Sequence, residues 1–549
     1  MEKKKKTVLT ACLCVLLVLL TAYIVVAVFC MNRFNFGTTI NGMNVGGKTV
    51  AEAESVIRNQ LNTYKITLLE REEKSEEILG SEIGVALVLT NEVADMVAGQ
   101  SGFTWIADLF RKPAYELQRT ATYDEILLET AISNLEALKP EKQREPVNAG
   151  YSEYTGSGYE LIPADYGTKV NQKKLIKAVG EAVAGLQDTI DLDEAGCYVL
   201  PKIGNDHRKL NALLDTLNTY VSTEIHYEFG SEDEILDGET IAGWLSVDNN
   251  MEVVVDRDAV LSYVKGLGRR HNTAYSAKTL MTSYGEEVTI TGGAYGWRID
   301  NGGERNQIIA DLESGEVIER EAVFLTRANS FDGPDYGNSY VEINLSAQHL
   351  FLYVDGELIV ESDFVSGRII RGNATPGGAF PITYITRNAV LRGSDYETPV
   401  SYWMPFNGNI GMHDLTSRKK FGGDIYLTNG SHGCINLPYE VAETIYEYVE
   451  AGFPVLCYRL DGSESEQVRA SKVSTTINYI NGIGPVTELS GPAIVAARYL
   501  YDELGDSLKA KVTNYNVLVN AEAEFAALQA QLAAQAAAQA AAAQAAQAP

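Results

Sequence analysis

The sequence predicts a multidomain α+β protein: one transmembrane helix, two α+β modules, a mainly β domain with one or more short helices, and a small helical module. Three observations predict it. An uncharged apolar run near the amino end is long enough to span a bilayer. A strand, Tyr-Gly turn, short strand and amphipathic helix occur twice, 129 residues apart. Between that pair and a helical carboxyl end lies a stretch of alternating apolar and polar residues broken by turn signals. The length of 549 residues suits three or four folded units.

Composition narrows the function classes. Hydrophobic residues are 45% and charged residues 21%, an ordinary globular mixture that excludes wholesale disorder. The net charge of −28 argues against nucleic acid as a partner, because displacing counterions needs net positive charge. Six cysteines are too few for a disulfide-stapled scaffold.

At the amino end, Lys3 to Lys6 precede Thr7 to Met31, a run of 25 residues without a charge. As a helix it would be about 37 Å long, enough to cross a hydrocarbon core with some tilt. The basic cluster leads, so the positive-inside rule places residues 1–6 in the cytoplasm, 7–31 in the membrane and the rest outside. A cleaved signal peptide is the rival, but its apolar core is shorter and ends at a small-x-small site, whereas this run ends Val-Phe-Cys-Met. Leu9-Thr10-Ala11-Cys12 looks like a lipoprotein cleavage box with almost no apolar segment before it.

Residues 36–197 and 198–328 are expected to be the two α+β modules. In the first, Asn41-Gly42 and Gly46-Gly47 mark turns, and Thr49 caps a helix beginning at Val50. Tyr159–Val183 and Val288–Leu312 align Tyr166-Gly167 with Tyr295-Gly296, and Ser81–Gly84 echoes Glu239–Ala242 more weakly. An internal duplication explains both echoes; two unrelated small domains is the alternative. Acidic runs such as Glu70–Glu77 read as solvated faces.

After a linker over Asn329–Ser339, the mainly β domain is expected at 338–461. Val341, Ile343 and Leu345 alternate with polar residues. Asp355-Gly356 divides Leu350–Ser362 into a hairpin with a type I′ turn. Further β-like segments lie around Ile382–Thr386, Ile410–His413 and Ile425–Thr428. A helix follows Pro438, with Val441, Ile445 and Val449 on one face, and Val455–Leu460 closes as a strand. Helical spacing of Ile494, Arg498, Tyr501 and Leu504, and of Leu518, Ala521 and Phe525, predicts a helical module at 470–525. Residues 526–549, almost all Ala and Gln, have helical propensity but no specified core, and are expected to be a mobile tail.

The chemistry concentrates between Tyr402 and Tyr439, which holds two of six histidines and one of the three cysteines outside the apolar run. Asn429-Gly430-Ser431-His432-Gly433-Cys434 is a tight polar loop feeding a helix. A nucleophilic thiol needs a base, oxyanion donors and access, because an unperturbed thiol is only a few per cent ionised at neutral pH. The base is His413 from another strand or His432 two residues away, and local reasoning leaves both open. N–H groups near Gly433 and Cys434 are candidate oxyanion donors. His413, His432 and Cys434 are also a legal zinc set, though without a paired carboxylate or a CxxC hook. Cys457, in Pro-Val-Leu-Cys-Tyr, reads as an inert core residue, and Cys197 has no obvious partner.

Seventeen residues separate His413 from Ser431-His432-Gly433-Cys434-Ile435-Asn436. This spacing resembles the H-x17-[ST]HGC-hydrophobic-N signature of L,D-transpeptidases, enzymes that cross-link bacterial peptidoglycan. Thr375-Pro376-Gly377-Gly378-Ala379-Phe380 is similar to that family's TP-x-G-x-F element. The resemblance implies Cys434 as nucleophile, His413 as base and acid, and Ser431, His432 and Gly433 as residues shaping the site. It implies that a main-chain carbonyl near Asp414 orients the imidazole, with the Asp414 side chain as the alternative. It implies peptidoglycan stem peptides as donor and acceptor, reaction with carbapenems, and no cofactor or metal. Upstream, Ile40-Asn41-Gly42-Met43-Asn44-Val45-Gly46-Gly47-Lys48-Thr49 with its following modules resembles the peptidoglycan-binding repeats of Gram-positive envelope proteins. Ala496–Glu524 resembles a small three-helix module appended to bacterial surface proteins.

Overall fold

The computed structural model describes residues 2–546 except 62, 89–90, 118–120 and 394–396. Residues 1 and 547–549, the extremities of the expected cytoplasmic segment and tail, lie outside the described residues. The chain forms two compact units, 1–155 with 159–214 and 156–158 with 215–549.

The first unit begins with the helix Glu2–Cys30. Its stretch Lys4–Cys30 is long and apolar enough to cross a membrane, and Val8, Leu9, Leu16 and Val25 leave well over half of their surface uncovered. Residues 36–197 contain two hydrophobic cores. Phe34, Ile40, Val45, Ala53, Ile57, Val93 and Val97 form a small core around the helix Val50–Leu61. Thr49 and Glu52 make a reciprocal capping box at its start: the Glu52 N–H donates to Thr49 Oγ1 at 3.2 Å and the Thr49 N–H to Glu52 Oε2 at 2.8 Å. The second core holds Ile66, Leu68, Ile78, Leu128, Leu175 and Val179.

The echo detected in the sequence is a repeated topology. In the first unit, Lys65–Leu69 pairs antiparallel with Ser75–Leu79 and parallel with Thr189–Asp191. In the second, Glu224–Phe229 pairs antiparallel with Glu232–Leu236 and parallel with Val317–Arg320. The aligned helices are Gln172–Ala184, capped by Asn171, and Asn301–Asp311, capped by Asp300. Gly167 and Gly296 precede them at positive φ, 59° and 139°. A Cβ at either would lie within 2.4 Å of main chain, so glycine permits the same close crossing twice. The Glu70–Glu77 run is not simply a solvated face. Glu76 accepts the N–H groups of Glu136 and Ala137 at 2.8 Å each, and burial beside Glu76 pushes Glu70 up to about 7.

The domain that carries the candidate site packs two sheets on one core. One sheet has the order Glu357–Asp363, His349–Val354, Tyr340–Asn344, Pro454–Tyr458, Gly378–Pro381. The other runs Thr386–Arg392, Glu397–Asn407, Ile410–Asp414, Ile435–Leu437. Val341, Ile343, Leu350, Leu352, Met404, Phe406, Met412 and Ile435 meet between them, joined by Ala442 and Ile445 of the helix Tyr439–Tyr448. Asp355 and Gly356 both have positive φ, 51° and 82°, as a type I′ hairpin turn requires.

One segment differs from expectation. Ile425–Asn429 is a helical turn, not a strand. A short apolar run does not reveal its period, and here the adjacent Tyr426 and Leu427 are both buried against Val365, Ile369 and Leu500. The alanine-glutamine region continues the helix Tyr515–Ala546. Leu518 and Ala521 anchor its first turns in a core with Ile480, Ile494 and Leu508, and from there alanine propagates the helix at little cost.

The strand Tyr340–Asn344 was expected to show one polar face, but Glu342 on that face is fully buried. Its carboxylate accepts Ser283 N–H at 3.0 Å, Ser283 Oγ at 2.8 Å and Tyr458 OH at 2.5 Å, tying the hairpin Lys278–Met281/Glu287–Ile290 to the β domain. Glu342→Ala should strand these donors and cost about 2–3 kcal/mol, read as a lower urea midpoint for the second unit.

Candidate active site

The site forms where two parallel strands lie side by side. Ile410–Asp414 and Ile435–Leu437 pair with Met412 opposite Ile435 and His413 opposite Asn436. Cys434 immediately precedes the second strand, so the pairing carries the thiol to the neighbourhood of the imidazole. His413, Ser431, His432, Cys434 and Asn436 line one cavity of about 190 Å³. His413 is buried, Cys434 half-buried and His432 exposed. A larger cavity of about 350 Å³ in the first unit, lined by Ile57, Leu61, Lys65, Leu117 and Asp188 among others, contains no histidine or cysteine.

The orientation of His413 is set by the main chain. Its Nδ1 lies 2.8 Å from the carbonyl oxygen of Asp414. A carbonyl only accepts, so Nδ1 carries the proton and Nε2 keeps a lone pair. The Asp414 carboxylate is engaged elsewhere, accepting the N–H groups of Ser401 at 2.7 Å and Tyr402 at 2.9 Å. Trp403, opposite His413 across the antiparallel pair, packs against the ring with centroids 5.9 Å apart.

The cysteine loop is held from several sides. Ser431 Oγ accepts the Gly433 N–H at 3.0 Å and donates to the Cys434 carbonyl at 2.6 Å. The Gly433 N–H, one of the expected oxyanion donors, is therefore engaged within the loop. Gly433 has φ +127°, and a Cβ there would lie 3.1 Å from Ile410 Cγ1. The Arg368 N–H donates to the Ser431 carbonyl at 2.8 Å, and the Ser431 N–H to the Ser366 carbonyl at 2.9 Å. Thr375 is buried; its Oγ1 accepts the Gly367 N–H at 3.0 Å and donates to the Gly433 carbonyl at 2.6 Å. Sequence reasoning had noticed the Thr-Pro element but not this use of its hydroxyl. It also missed Arg368 and Arg418, which line the cavity and belong to no motif.

A second layer comes from the helix Gly491–Glu503. Leu500 is buried among Val365, Ile369, Tyr426 and Leu427. Glu503 accepts from Tyr426 OH at 3.2 Å and pairs with Arg459 at 3.2 Å, while Arg459 donates to the Thr375 carbonyl at 3.3 Å. The helical module thus braces both segments that hold the cysteine loop.

Electrostatics make the pair neutral. Burial pushes the His413 imidazole below its ordinary value, opposed by the bond to the Asp414 carbonyl. Burial also pushes the Cys434 thiol up, opposed by a Gly411 main-chain hydrogen bond. The thiol donates to the Asn409 carbonyl at 3.5 Å. Near pH 7 the site therefore holds a thiol and a neutral imidazole, so a base must take the thiol proton during attack. Among the described residues no group of three or more His, Cys, Asp and Glu side chains is assembled to hold a metal ion. Cys457 is fully buried, with its thiol pushed further up by burial. Cys197 is buried and free.

Residues 338–457 match the L,D-transpeptidase catalytic domain family. Residues 77–191 and 206–318 match a family described as a putative peptidoglycan binding domain. Among solved structures, an Enterococcus faecium L,D-transpeptidase carrying a cysteine-to-serine mutation is 31% identical over 45% of this chain and 99% of that one, with a TM-score of 0.37. The catalytic domain of E. faecium L,D-transpeptidase is 40% identical over 22% of this chain and 96% of that one, TM-score 0.21. The same domain acylated by ertapenem is 39% identical over 22% and 98%, TM-score 0.21. No curated protein sequence matches significantly.

Iodoacetamide labelling of Cys434, followed by peptide mass spectrometry, should be slow at pH 7 and keep rising beyond pH 9, because the thiolate forms only above the raised thiol value. A rate already on its plateau at pH 7 would contradict a neutral pair. Thr375→Val should leave the buried Gly367 N–H unpaired, costing about 1–3 kcal/mol, and should broaden the amide resonances of residues 431–434 in NMR spectra while distant ones keep their shapes.

Proposed function

Because this chain belongs to the L,D-transpeptidase family, with a catalytic domain over 338–457 behind two peptidoglycan-binding domains, we propose that Cys434 captures the third residue of a peptidoglycan tetrapeptide stem as a thioester and passes it to an amine of a second stem. The observation that carries this reading is the His413 tautomer fixed by the Asp414 carbonyl, beside Cys434 in one cavity.

In the proposed sequence, His413 Nε2 takes the thiol proton as Cys434 Sγ attacks the carbonyl at the third residue. The resulting oxyanion accepts from the main-chain N–H of Cys434, and from that of Gly433 once it leaves Ser431 Oγ. Collapse breaks the peptide bond, and the imidazolium returns its proton to the departing D-alanine amine. An acceptor amine then attacks the thioester, loses a proton to His413 and forms a 3→3 cross-link, releasing the sulfur, which regains its proton. Water in place of the amine gives the carboxypeptidase outcome. Ser431, His432 and Gly433 shape the loop, and His432 contributes at the cavity wall rather than as the base, since its ring is exposed and His413 is already aimed.

The reading extends to the whole chain. Residues 1–6 are cytoplasmic and 7–31 anchor the protein; 36–197 and 198–328 contact the wall; 338–461 carries out the reaction on the outer face; 470–525 braces it; and 526–549 extends away as a helical tail. The lysines before the apolar helix support this orientation. Next to that helix, Phe103, Ile106 and Phe110 are exposed, side chains suited to a membrane boundary.

Incubation of the chain with ertapenem should add one drug mass to the protein, located on Cys434, with Cys434→Ala unmodified. An unmodified wild type, or an equal adduct on the alanine variant, would remove the proposed nucleophile.

A further inference from the structure

Two arginines that the mechanism above does not use line the reacting cavity. Arg368 comes from the segment between the strands Glu357–Asp363 and Gly378–Pro381, and Arg418 from the loop after Ile410–Asp414. Both line the cavity with His413 and Cys434. Neither makes an ion pair among the described residues, and the Nε of each is buried without a hydrogen-bond partner. Arg418 Nη2 donates to the Asn429 carbonyl at 2.9 Å. Burial lowers the Arg418 value, and the nearby charge of Arg368 adds to the effect.

This is unusual within the chain. The protein is strongly acidic, and most of its other half-buried arginines have found carboxylates, among them Arg71 with Asp193, Arg320 with Glu304 and Asp311, and Arg498 with Glu522. Holding two like charges together with unpaired buried donors is costly unless an anion completes the arrangement. A planar carboxylate matches the guanidinium fork.

We propose that Arg368 and Arg418 form a carboxylate subsite that binds the terminal carboxylate of the residue expelled from the donor stem. This rests on the function proposed above. In a tetrapeptide that carboxylate belongs to the residue directly after the attacked carbonyl, so it lies in the same cavity as the thiol. A fifth residue would carry it about 3.5 Å further along an extended chain, so the pair would also select stem length. A carboxylate on the side chain of the third residue is the other source of the same chemistry within reach.

The test uses the full chain in detergent micelles and measures release of the fourth residue from synthetic tetrapeptides. One pair differs only in a C-terminal carboxylate or carboxamide, and a second pair only in a free or amidated side-chain carboxylate at the third residue. The wild type should favour the C-terminal free acid by roughly tenfold or more in kcat/KM, mainly through KM. Arg368→Gln and Arg418→Gln should each bring that ratio toward one, and Arg418→Lys should retain part of it. Variants that slow both members of the C-terminal pair equally would overturn the subsite, because a merely structural arginine does not alter the ratio. Loss of discrimination only in the third-residue pair would overturn the terminal assignment. If the wild type released nothing from any peptide, the reading of the function would fail first and the subsite with it.

Discussion

One hydrogen bond organises the site: the Nδ1–H of His413 to the carbonyl of Asp414. It selects the tautomer and aims the lone pair of a ring that burial keeps uncharged. A carboxylate in the same role would hold the imidazole with a full charge and raise its value further; a carbonyl orients it at a smaller electrostatic cost. The Asp414 side chain turns instead to the neighbouring strand, where it takes two N–H groups and fixes the strand whose carbonyl does the aiming. The same residue thereby contributes twice, through its main chain to the orientation of His413 and through its side chain to sheet geometry.

In the function proposed above, a neutral imidazole and a thiol raised by burial make a nucleophile that is latent until a substrate arrives. Such a pair depends on placement more than on a preformed thiolate, because proton transfer and attack must occur together. The structure invests accordingly in placement. Ser431 closes the turn on itself, Thr375 grips the carbonyl of Gly433, and the 366–368 segment runs beside the loop as a short ladder. Behind them Leu500 and Glu503 of a helix outside the β domain pack on both supports. The helical module is thus packed directly against the supports of the Cys434 loop.

The repeated modules are organised by a different rule. Each uses a hairpin plus a later parallel strand, with capped helices against it, and in each a glycine of positive φ lets two main-chain segments cross before the last helix. The second repeat is also locked to the β domain through Glu342, so that an acidic side chain on an otherwise apolar strand serves as a fastener between domains. This explains why the strand is buried on both faces although its sequence alternates.

The linear sequence determined what depends on local chemistry: the apolar helix at the amino end, the Asp-Gly hairpin, the duplicated strand–turn–helix text, and the histidine and cysteine whose spacing fits two neighbouring strands. These follow from hydrophobic period, turn stereochemistry and residue type, all of which act over a few residues. Tertiary structure decided what depends on neighbours distant in the chain. It buried His413 with its Nδ1 on the Asp414 carbonyl, left His432 exposed and turned the Asp414 carboxylate to another strand, because each arrangement turns on which atom another strand presents. It made Ile425–Asn429 a helical turn, since two adjacent apolar residues both found core to enter. It brought Arg368 and Arg418 to one cavity from segments fifty residues apart, a proximity invisible to any pattern in the sequence because no local rule couples them.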